Sequence, residues 1–241
     1  MIHNKTFVSL TTIPKRLSSP VFTKHIKFLL SLTTYEHIVI NIPIVSKSGE
    51  LYVIPEELTK LEKNRVNFTI NRNCKDEGPI TKLLPALRNP LIKNNDIIIV
   101  IDDDRIYKKN IFKLLTKSVN ENSKSVSTFC FKLIQGVTGY GFVKKVIKNM
   151  LLKIHIPNEC FKIDDYVLNQ FVKHNKINIV KVYYTIFDKP QLLDKIFNNG
   201  FCNCHLGNSI KLARDLYEAP QLQFTTNRIN ANRLCNNNLN L

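Results

Sequence analysis

The chain has 241 residues, of which 44% are hydrophobic and 22% are charged, close to the composition of an ordinary globular protein. A chain of this length can bury a core without disulfides or metals, which excludes disulfide scaffolds and disordered chains and favours one domain. The longest apolar run spans residues 97–101. It is far shorter than the roughly 20 residues that cross a bilayer, and we expect no cleavable signal peptide.

The net charge is +16, from 35 lysines and arginines against 19 aspartates and glutamates. Such an excess indicates an anionic partner, and a nucleic acid, an anionic membrane surface and a phosphorylated substrate all satisfy it. The many lysines, asparagines and isoleucines are typical of an AT-rich genome, which weakens the nucleic-acid interpretation. The six cysteines are scattered without a repeated spacing, and we expect reduced thiols.

Strands and helices alternate in the first half of the chain. Apolar runs that end at prolines or polar turns predict strands, and apolar residues at helical spacing predict helices. The predicted elements are, in chain order, strand 6–10, helix 21–32, strand 37–42, helix 55–63, strand 66–70, the start of a helix at 81–87 and strand 96–101. This alternation is typical of an open α/β sheet, in which ligands bind beyond the carboxyl ends of the strands.

The last of these strands is apolar at every position from Ile97 to Ile101. A continuous apolar run indicates a strand covered on both faces, so we expect a central parallel strand. Asp102, Asp103 and Asp104 follow directly, at the ligand edge of the sheet. If the triplet is extended, side chains alternate, so Asp102 and Asp104 face one point and Asp103 faces away. That arrangement predicts a Mg or Mn site, and the alternative is an acidic turn that caps the strand.

Four motifs occur in a fixed order around this strand. Residues 9–16 read SLTTIPKR, 76–83 read DEGPITKL, 95–104 read NDIIIVIDDD, and 164–168 read DDYVL. On these motifs the chain resembles GT-A-type glycosyltransferases with a DXD motif, and more closely a group of small bacterial and giant-virus glycosyltransferases. The resemblance covers residues 9–168. It implies a single-domain α/β fold of GT-A (Rossmann-like) type, with a mostly parallel sheet flanked by helices.

The resemblance also implies an activity and its site residues. The activity is metal-dependent transfer of a sugar from a nucleotide-sugar donor, UDP-linked by default, to an acceptor hydroxyl, with inversion. The metal, Mn or Mg, is then held by Asp102 and Asp104, with His205 as a further ligand near the carboxyl end. The residues expected to contact the nucleotide sugar are Thr11, Thr12, Arg16, Asp76, Lys82, Asp102 and Asp103.

Several of these residues have a plainer interpretation. Arg16 can be a surface residue, and Asp76 can cap a loop beside a solvated Lys82. Asp164 opens a segment of helical period and can be its N-cap, but the adjacent Asp165 exceeds what capping needs. An inverting transfer needs one carboxylate to take the proton of the acceptor hydroxyl. The resemblance implies that Asp165 is this base and that Asp164 orients the acceptor.

The last third of the chain has fewer signals. Residues 136–141 hold three of the seven glycines, where the resembled family has a loop under the donor sugar. Residues 142–154 combine an apolar helical period with Lys144 and three other lysines. They predict an amphipathic helix that packs on the sheet or lies on an anionic membrane. The chain becomes polar near its end, so we predict a domain at 1–220 and a loose tail at 221–241.

The expected partners are a nucleotide-sugar donor and a glycan, protein or lipid-linked acceptor, with peripheral membrane contact left open and no specific nucleic acid. We expect a cytoplasmic location, in a host cytoplasm or a virion if the source is viral. Two alternatives to the enzyme stay open. One is a nucleic-acid-binding protein, suggested by the charge. The other is a nucleotide- or sugar-binding module of the same fold with weak or no catalysis.

Overall fold

The computed structural model describes residues 4–32, 34–107, 109–129, 133–161, 163–182, 209–211 and Cys235. The strands in this part of the chain are β1 (Thr6–Thr11), β2 (His37–Asn41), β3 (Phe68–Asn71), β4 (Ile97–Val100), β5 (Arg105–Tyr107), β6 (Val126–Thr128), β7 (Tyr140–Val143), β8 (Ile179–Lys181) and β9 (Ser209–Lys211). The α-helices are α1 (Pro14–Leu17), α2 (Pro20–Ser31), α3 (Glu56–Asn64), α4 (Leu84–Arg88), α5 (Lys109–Glu121), α6 (Lys148–Leu151) and α7 (Asp164–His174). Short 3₁₀ helices lie at Gly78–Lys82, Gly136–Thr138, Lys144–Val146 and Asn158–Cys160.

Seven strands form one sheet in the order β3-β2-β1-β4-β7-β6-β8. The pairs β1–β2, β1–β4, β2–β3 and β6–β8 are parallel, whereas β7 pairs antiparallel with both β4 and β6. Six of the seven strands therefore share one direction. This confirms the predicted α/β class with a mostly parallel sheet. Strands β5 and β9 form a separate antiparallel pair.

Strand β4 lies at the centre of the sheet, and its four residues are completely buried. Ile97 and Ile99 pack in the hydrophobic cluster on one side, and Ile98 and Val100 pack in the cluster on the other. Each such side chain contributes roughly 1.5–3 kcal/mol by leaving water. The continuous apolar run therefore indicated two-sided burial correctly, although one neighbour, β7, is antiparallel.

Local signals placed most of the other early elements within two residues. Helix α2 begins with Pro20, and the Ser19 side chain accepts a hydrogen bond from the Val21 N–H at 3.3 Å. The helix predicted at 81–87 is instead a 3₁₀ helix, Gly78–Lys82, followed by α4. Pro85 lies in the first turn of α4, where its missing N–H is tolerated, and it would interrupt a longer helix.

The amphipathic helix predicted at 142–154 is wrong. The first two residues belong to strand β7, and the rest contains the 3₁₀ helix Lys144–Val146 and the single-turn α6. Lys144 is 1% exposed, because its ammonium donates to the carbonyls of Asn89 and Ile92 at 2.7 and 2.6 Å. There is thus no basic helix here to lie on a membrane. Nor is any helix within the described ranges long and apolar enough to cross one.

The expectation of reduced thiols is wrong for one pair of cysteines. Cys160 and Cys235, which are 75 positions apart in the sequence, form a disulfide with their Cα atoms 5.0 Å apart. Cys74 is a free thiol. Disulfides are rare in reduced cytosolic proteins, so this bond counts against the predicted cytoplasmic location. Cys235 itself is buried, whereas the rest of 221–241 and the predicted boundary at 220 lie outside the described residues.

Candidate active site

A cleft of about 410 Å³ lies where β1 and β4 end. Its walls come from the turns after these two strands, the 3₁₀ helix Gly78–Lys82 and the start of α7. It brings together ten of the eleven residues that the sequence predicts for the site, which are Thr11, Thr12, Arg16, Asp76, Lys82, Asp102, Asp103, Asp104, Asp164 and Asp165. The eleventh, His205, lies outside the described residues.

The aspartate triplet is a turn, so the expected alternation of its side chains is wrong. The chain turns at Asp103 and Asp104 before β5, and all three carboxylates line the same cleft. Asp103 is buried and accepts a hydrogen bond from the Thr12 hydroxyl at 2.6 Å and from Arg16 at 2.5 Å. Burial raises the pKa of Asp103 to about 6, although Arg16 and Thr12 lower it. Thr12 and Arg16 are thus joined to Asp103, instead of being surface residues or purely ligand contacts.

Asp104 has looser contacts. Its carboxylate lies 3.7 Å from Arg16 Nη2 and 3.8 Å from Arg105 Nε, beyond hydrogen-bond distance. The side chain is 22% exposed and faces the cleft. Asp102 is slightly more exposed, at 27%, but its ion contact with Lys82 is shorter, at 2.6 Å, than either contact of Asp104.

Lys82 is buried between the two acidic motifs, so the interpretation of a solvated lysine is wrong. Its Nζ lies 2.6 Å from Asp102 Oδ1 and 2.7 Å from Asp164 Oδ2, and its side chain is 5% exposed. Burial lowers the pKa of Lys82, but the carboxylates of Asp102 and Asp164 outweigh it, and the pKa lies well above its ordinary value. The lysine is therefore a charged ammonium at neutral pH.

Asp165 is held by the glycine-rich segment. The Gly136 N–H donates to Asp165 Oδ1 at 3.0 Å. Burial and the neighbouring Asp164 raise the pKa of Asp165 to about 7, although Lys82 lowers it. A Cβ on Gly136 would lie 2.4 Å from Asp102 Oδ1 and 2.5 Å from Lys82 Nζ, so only glycine fits between them. The glycine signal at 136–141 thus marked a close backbone approach, here to protein side chains.

The plainer interpretation of Asp164 as an N-cap is also wrong. The N-cap position of α7 is Ile163, which makes no side-chain capping bond, and Asp164 is the first helical residue. Its carboxylate contacts Lys82. A negative charge in the first turn is still favourable for the helix dipole.

Asp76 and Thr11 have their polar atoms bonded to the protein backbone. Asp76 accepts from the N–H groups of Gly78 at 2.9 Å and Lys47 at 2.8 Å, which agrees with the plainer interpretation of a loop cap. The Thr11 hydroxyl donates to the Asn41 carbonyl at 2.7 Å. Gly78 has φ +75°, and a Cβ there would lie 2.1 Å from the Phe161 carbonyl oxygen. This glycine is required where the loop meets the segment before α7.

Sequence reasoning missed two residues that hold the site. The Tyr107 hydroxyl accepts from the Asp102 N–H and donates to the Gly136 carbonyl, both at 2.9 Å. The Asn169 amide donates to the carbonyls of Asp165 at 2.6 Å and Ile134 at 2.8 Å. Asn169 lies four residues after Asp165, a helical spacing that could have drawn attention to it. Tyr107 carries no comparable signal. Two aromatic residues of the cleft, Tyr52 and Phe161, were also missed.

Comparison with known proteins supports a fold and not a family. No protein-family profile and no curated protein matches the chain. A crystal structure of 4-diphosphocytidyl-2C-methyl-D-erythritol synthase matches with a TM-score of 0.51 and 9% identity, over 81% of this chain and 97% of that one. The same synthase from Anaerococcus prevotii has a TM-score of 0.49 and 14% identity, over 80% and 94% of the two chains. Residues 1–349 of TarS from S. aureus have a TM-score of 0.49 and 13% identity, over 69% of this chain and 54% of that one. The first similarity supports the predicted GT-A-like α/β fold.

Proposed function

We propose that the chain is a nucleotide-sugar-dependent glycosyltransferase of the GT-A type. One observation carries the proposal: the two acidic motifs, residues 102–104 and 164–165, meet in a single cleft. That cleft lies at the sheet edge where α/β folds bind ligands. The resemblance of four motifs to those of GT-A-type glycosyltransferases with a DXD motif supports the same chemistry.

A divalent cation fits the charge of this cleft. Six carboxyl groups line it against two cationic side chains, so an anionic diphosphate needs further positive charge there. Within the described residues no three His, Cys, Asp or Glu side chains form a metal site. Asp102 and Asp104, which both line the cleft, would hold Mn or Mg with water and diphosphate oxygens as the other ligands, as is usual for Mg. The ion would supply positive charge against the charge that develops on the leaving diphosphate.

Asp165 is the general base of the proposed transfer. Its carboxylate takes the proton of the acceptor hydroxyl while the hydroxyl oxygen attacks the anomeric carbon from the side opposite the diphosphate. The bond between that carbon and the diphosphate oxygen breaks, and the nucleoside diphosphate leaves with inversion. A base with a pKa near the working pH is the most effective, and the pKa of Asp165 is raised to about 7 by burial and Asp164. The Gly136 N–H holds one carboxylate oxygen in position.

The proposal is tested by a donor screen of the purified protein with Mn²⁺. Hydrolysis or transfer is followed for each nucleotide sugar, with a chelator and the variant Asp104→Ala as controls. We expect at least one donor, UDP-linked by default, to be turned over only with the metal. The metal-site assignment would be excluded if UDP bound equally well with and without chelator and if Asp104→Ala bound UDP as tightly as the wild type.

The open alternatives give other results in the same experiment. A binding module retains metal-dependent nucleotide affinity without turnover of any donor. A nucleic-acid-binding protein binds a defined DNA or RNA at about nanomolar affinity in about 150 mM salt, and Asp104→Ala keeps that affinity. The screen identifies the donor sugar, and its repetition with glycan, protein and lipid-linked acceptors identifies the acceptor.

A further inference from the structure

The Lys82 ammonium joins two parts of the cleft that are distant in the sequence. It contacts Asp102 in the turn after β4 and Asp164 in the first turn of α7, at 2.6 and 2.7 Å. The lysine backbone is fixed to a third element, because the Ser9 hydroxyl of β1 donates to the Lys82 carbonyl at 2.6 Å. One side chain therefore connects the centre of the sheet with the helix that carries Asp165.

These contacts leave little room for Lys82 to serve as a phosphate ligand. One N–H donor makes a hydrogen bond to Asp102, the Asp164 carboxylate lies 2.7 Å from the same nitrogen, and the side chain is 5% exposed. Taking an ammonium out of water costs several kcal/mol, which only well-placed charged partners offset. Moving Lys82 towards a diphosphate would leave the Asp102 and Asp164 carboxylates without this partner.

The ion pairs also determine where Gly136 can lie. The Gly136 Cα packs against both Asp102 Oδ1 and Lys82 Nζ, so closely that a Cβ would come within 2.5 Å of each. Its N–H donates to Asp165, and its carbonyl accepts from Tyr107, whose hydroxyl also accepts from the Asp102 N–H. A shift of the Asp102 turn therefore acts on Gly136 through the Tyr107 hydroxyl, and Gly136 is the partner of Asp165.

We propose that Lys82 is a positioning residue that holds the Asp102 turn against the start of α7 and so sets the place of Asp165 relative to the bound nucleotide. This inference rests on the proposed function and replaces the direct nucleotide contact predicted for Lys82 from the sequence. The lysine acts through its two aspartate partners and does not touch the reacting atoms.

The first test is Lys82→Met, which keeps an unbranched side chain that is one atom shorter and removes its charge. Because a displacement of about 1 Å in a catalytic group can cost about 10²-fold, we expect kcat to fall by about that factor. The affinity for UDP and Mn²⁺ in calorimetry should stay within about threefold, less than the tenfold change that 1.4 kcal/mol produces. A UDP affinity weakened tenfold or more with little change in kcat would make Lys82 a phosphate ligand and overturn the inference.

The control is Lys144→Met, which removes the charge of another buried lysine. Lys144 donates to backbone carbonyls outside the residues that line the cleft. This variant should unfold more easily and keep the wild-type kcat. If it lowers kcat as much as Lys82→Met does, the effect is one of general stability and the positioning role is excluded.

A double-mutant cycle with Lys82→Met and Asp164→Asn gives a readout that does not need activity. Unfolding constants are measured by chemical denaturation for the wild type, both single variants and the double variant. Lys82→Met leaves the Asp164 charge unpaired, and the double variant removes that charge. Its unfolding constant should therefore be at least tenfold smaller than the value obtained by multiplying the effects of the two single substitutions. Independent effects of the two substitutions would refute the link even if the enzyme is active. A wild type that turns over no donor refutes the proposed function, while this cycle still decides whether Lys82 couples the two motifs.

Discussion

The two acidic motifs of the cleft each hold a carboxyl group with a raised pKa, but they hold it in different ways. Asp103 is bonded to two side chains of the turn after β1, the Thr12 hydroxyl and the Arg16 guanidinium. Asp165 accepts from a backbone amide, that of Gly136. Burial raises the pKa of both, to about 6 for Asp103 and about 7 for Asp165. A raised pKa alone therefore does not identify a general base. Asp103 connects the turn after β4 with the turn after β1 through Thr12 and Arg16. The Asp165 carboxyl group is bonded to a backbone amide and is the one suited to accept a proton.

The largest effect is expected from Asp165→Asn. The amide keeps the size of the side chain but takes up no proton, and general-base catalysis is worth about 10²- to 10⁴-fold. We expect kcat to fall by that range while donor affinity, measured by titration, stays near the wild-type value. Asp164→Asn should be milder, because Lys82 keeps Asp102 as a partner. An Asp165→Asn enzyme with normal turnover would exclude the base assignment.

The matching test in the other motif is Asp103→Ala. Removal of this carboxylate leaves the partly buried Arg16 without its closest anionic partner, so we expect a loss of about 3 kcal/mol in the free energy of unfolding. Asp104→Ala should cost less than about 1 kcal/mol, since its ion contacts are long, yet it should weaken Mn²⁺-dependent UDP binding. Urea denaturation and calorimetry measure the two effects. Equal destabilisation by both variants would contradict the distinction between a structural and a ligand-facing aspartate.

Gly136→Ala tests the close packing that joins the motifs. The added Cβ would lie 2.4 Å from Asp102 Oδ1, so either the ion pair or the Gly136 backbone must move. We expect kcat to fall by about 10²-fold, the cost of misplacing a catalytic group by about 1 Å. Gly49→Ala is the control, because Gly49 has φ +88° but no atom within 4 Å of the added Cβ. That variant should lose about 1 kcal/mol of stability through backbone strain and keep its turnover.

A change in pH should act on the same base. Because burial and Asp164 raise the pKa of Asp165 to about 7, the base is mostly protonated and inactive below that pH. The value of kcat/KM should therefore rise about tenfold per pH unit up to about pH 7 and level off above it. The residual activity of Asp165→Asn should not show this rise of kcat/KM with pH. A wild-type profile that is flat between pH 5 and 8, or that falls as pH rises, would show that no such base limits the reaction.

Local patterns predicted much of this molecule. The apolar run of β4 indicated a buried central strand, because the side chains of a strand alternate between two faces and both were apolar. The prolines and polar turns gave the order of the early elements. The prediction failed where one pattern was compatible with two structures. The helical period at 142–154 also fits a strand followed by two short helices. Lys144 is buried because its ammonium is bonded to backbone carbonyls, which residue spacing does not show.

The α/β class, the central strand and the sheet edge with the acidic residues were therefore predictable, because they follow from periodicity and turn chemistry over a few neighbouring residues. The partner of each charge follows only from the fold: Arg16 pairs with Asp103, 87 positions away, and Lys82 pairs with Asp102, 20 positions away. The fold also pairs Cys160 with Cys235. Such contacts depend on how the strands pair and how the helices pack across the sheet. Neither can be deduced from the positions of the two residues in the chain.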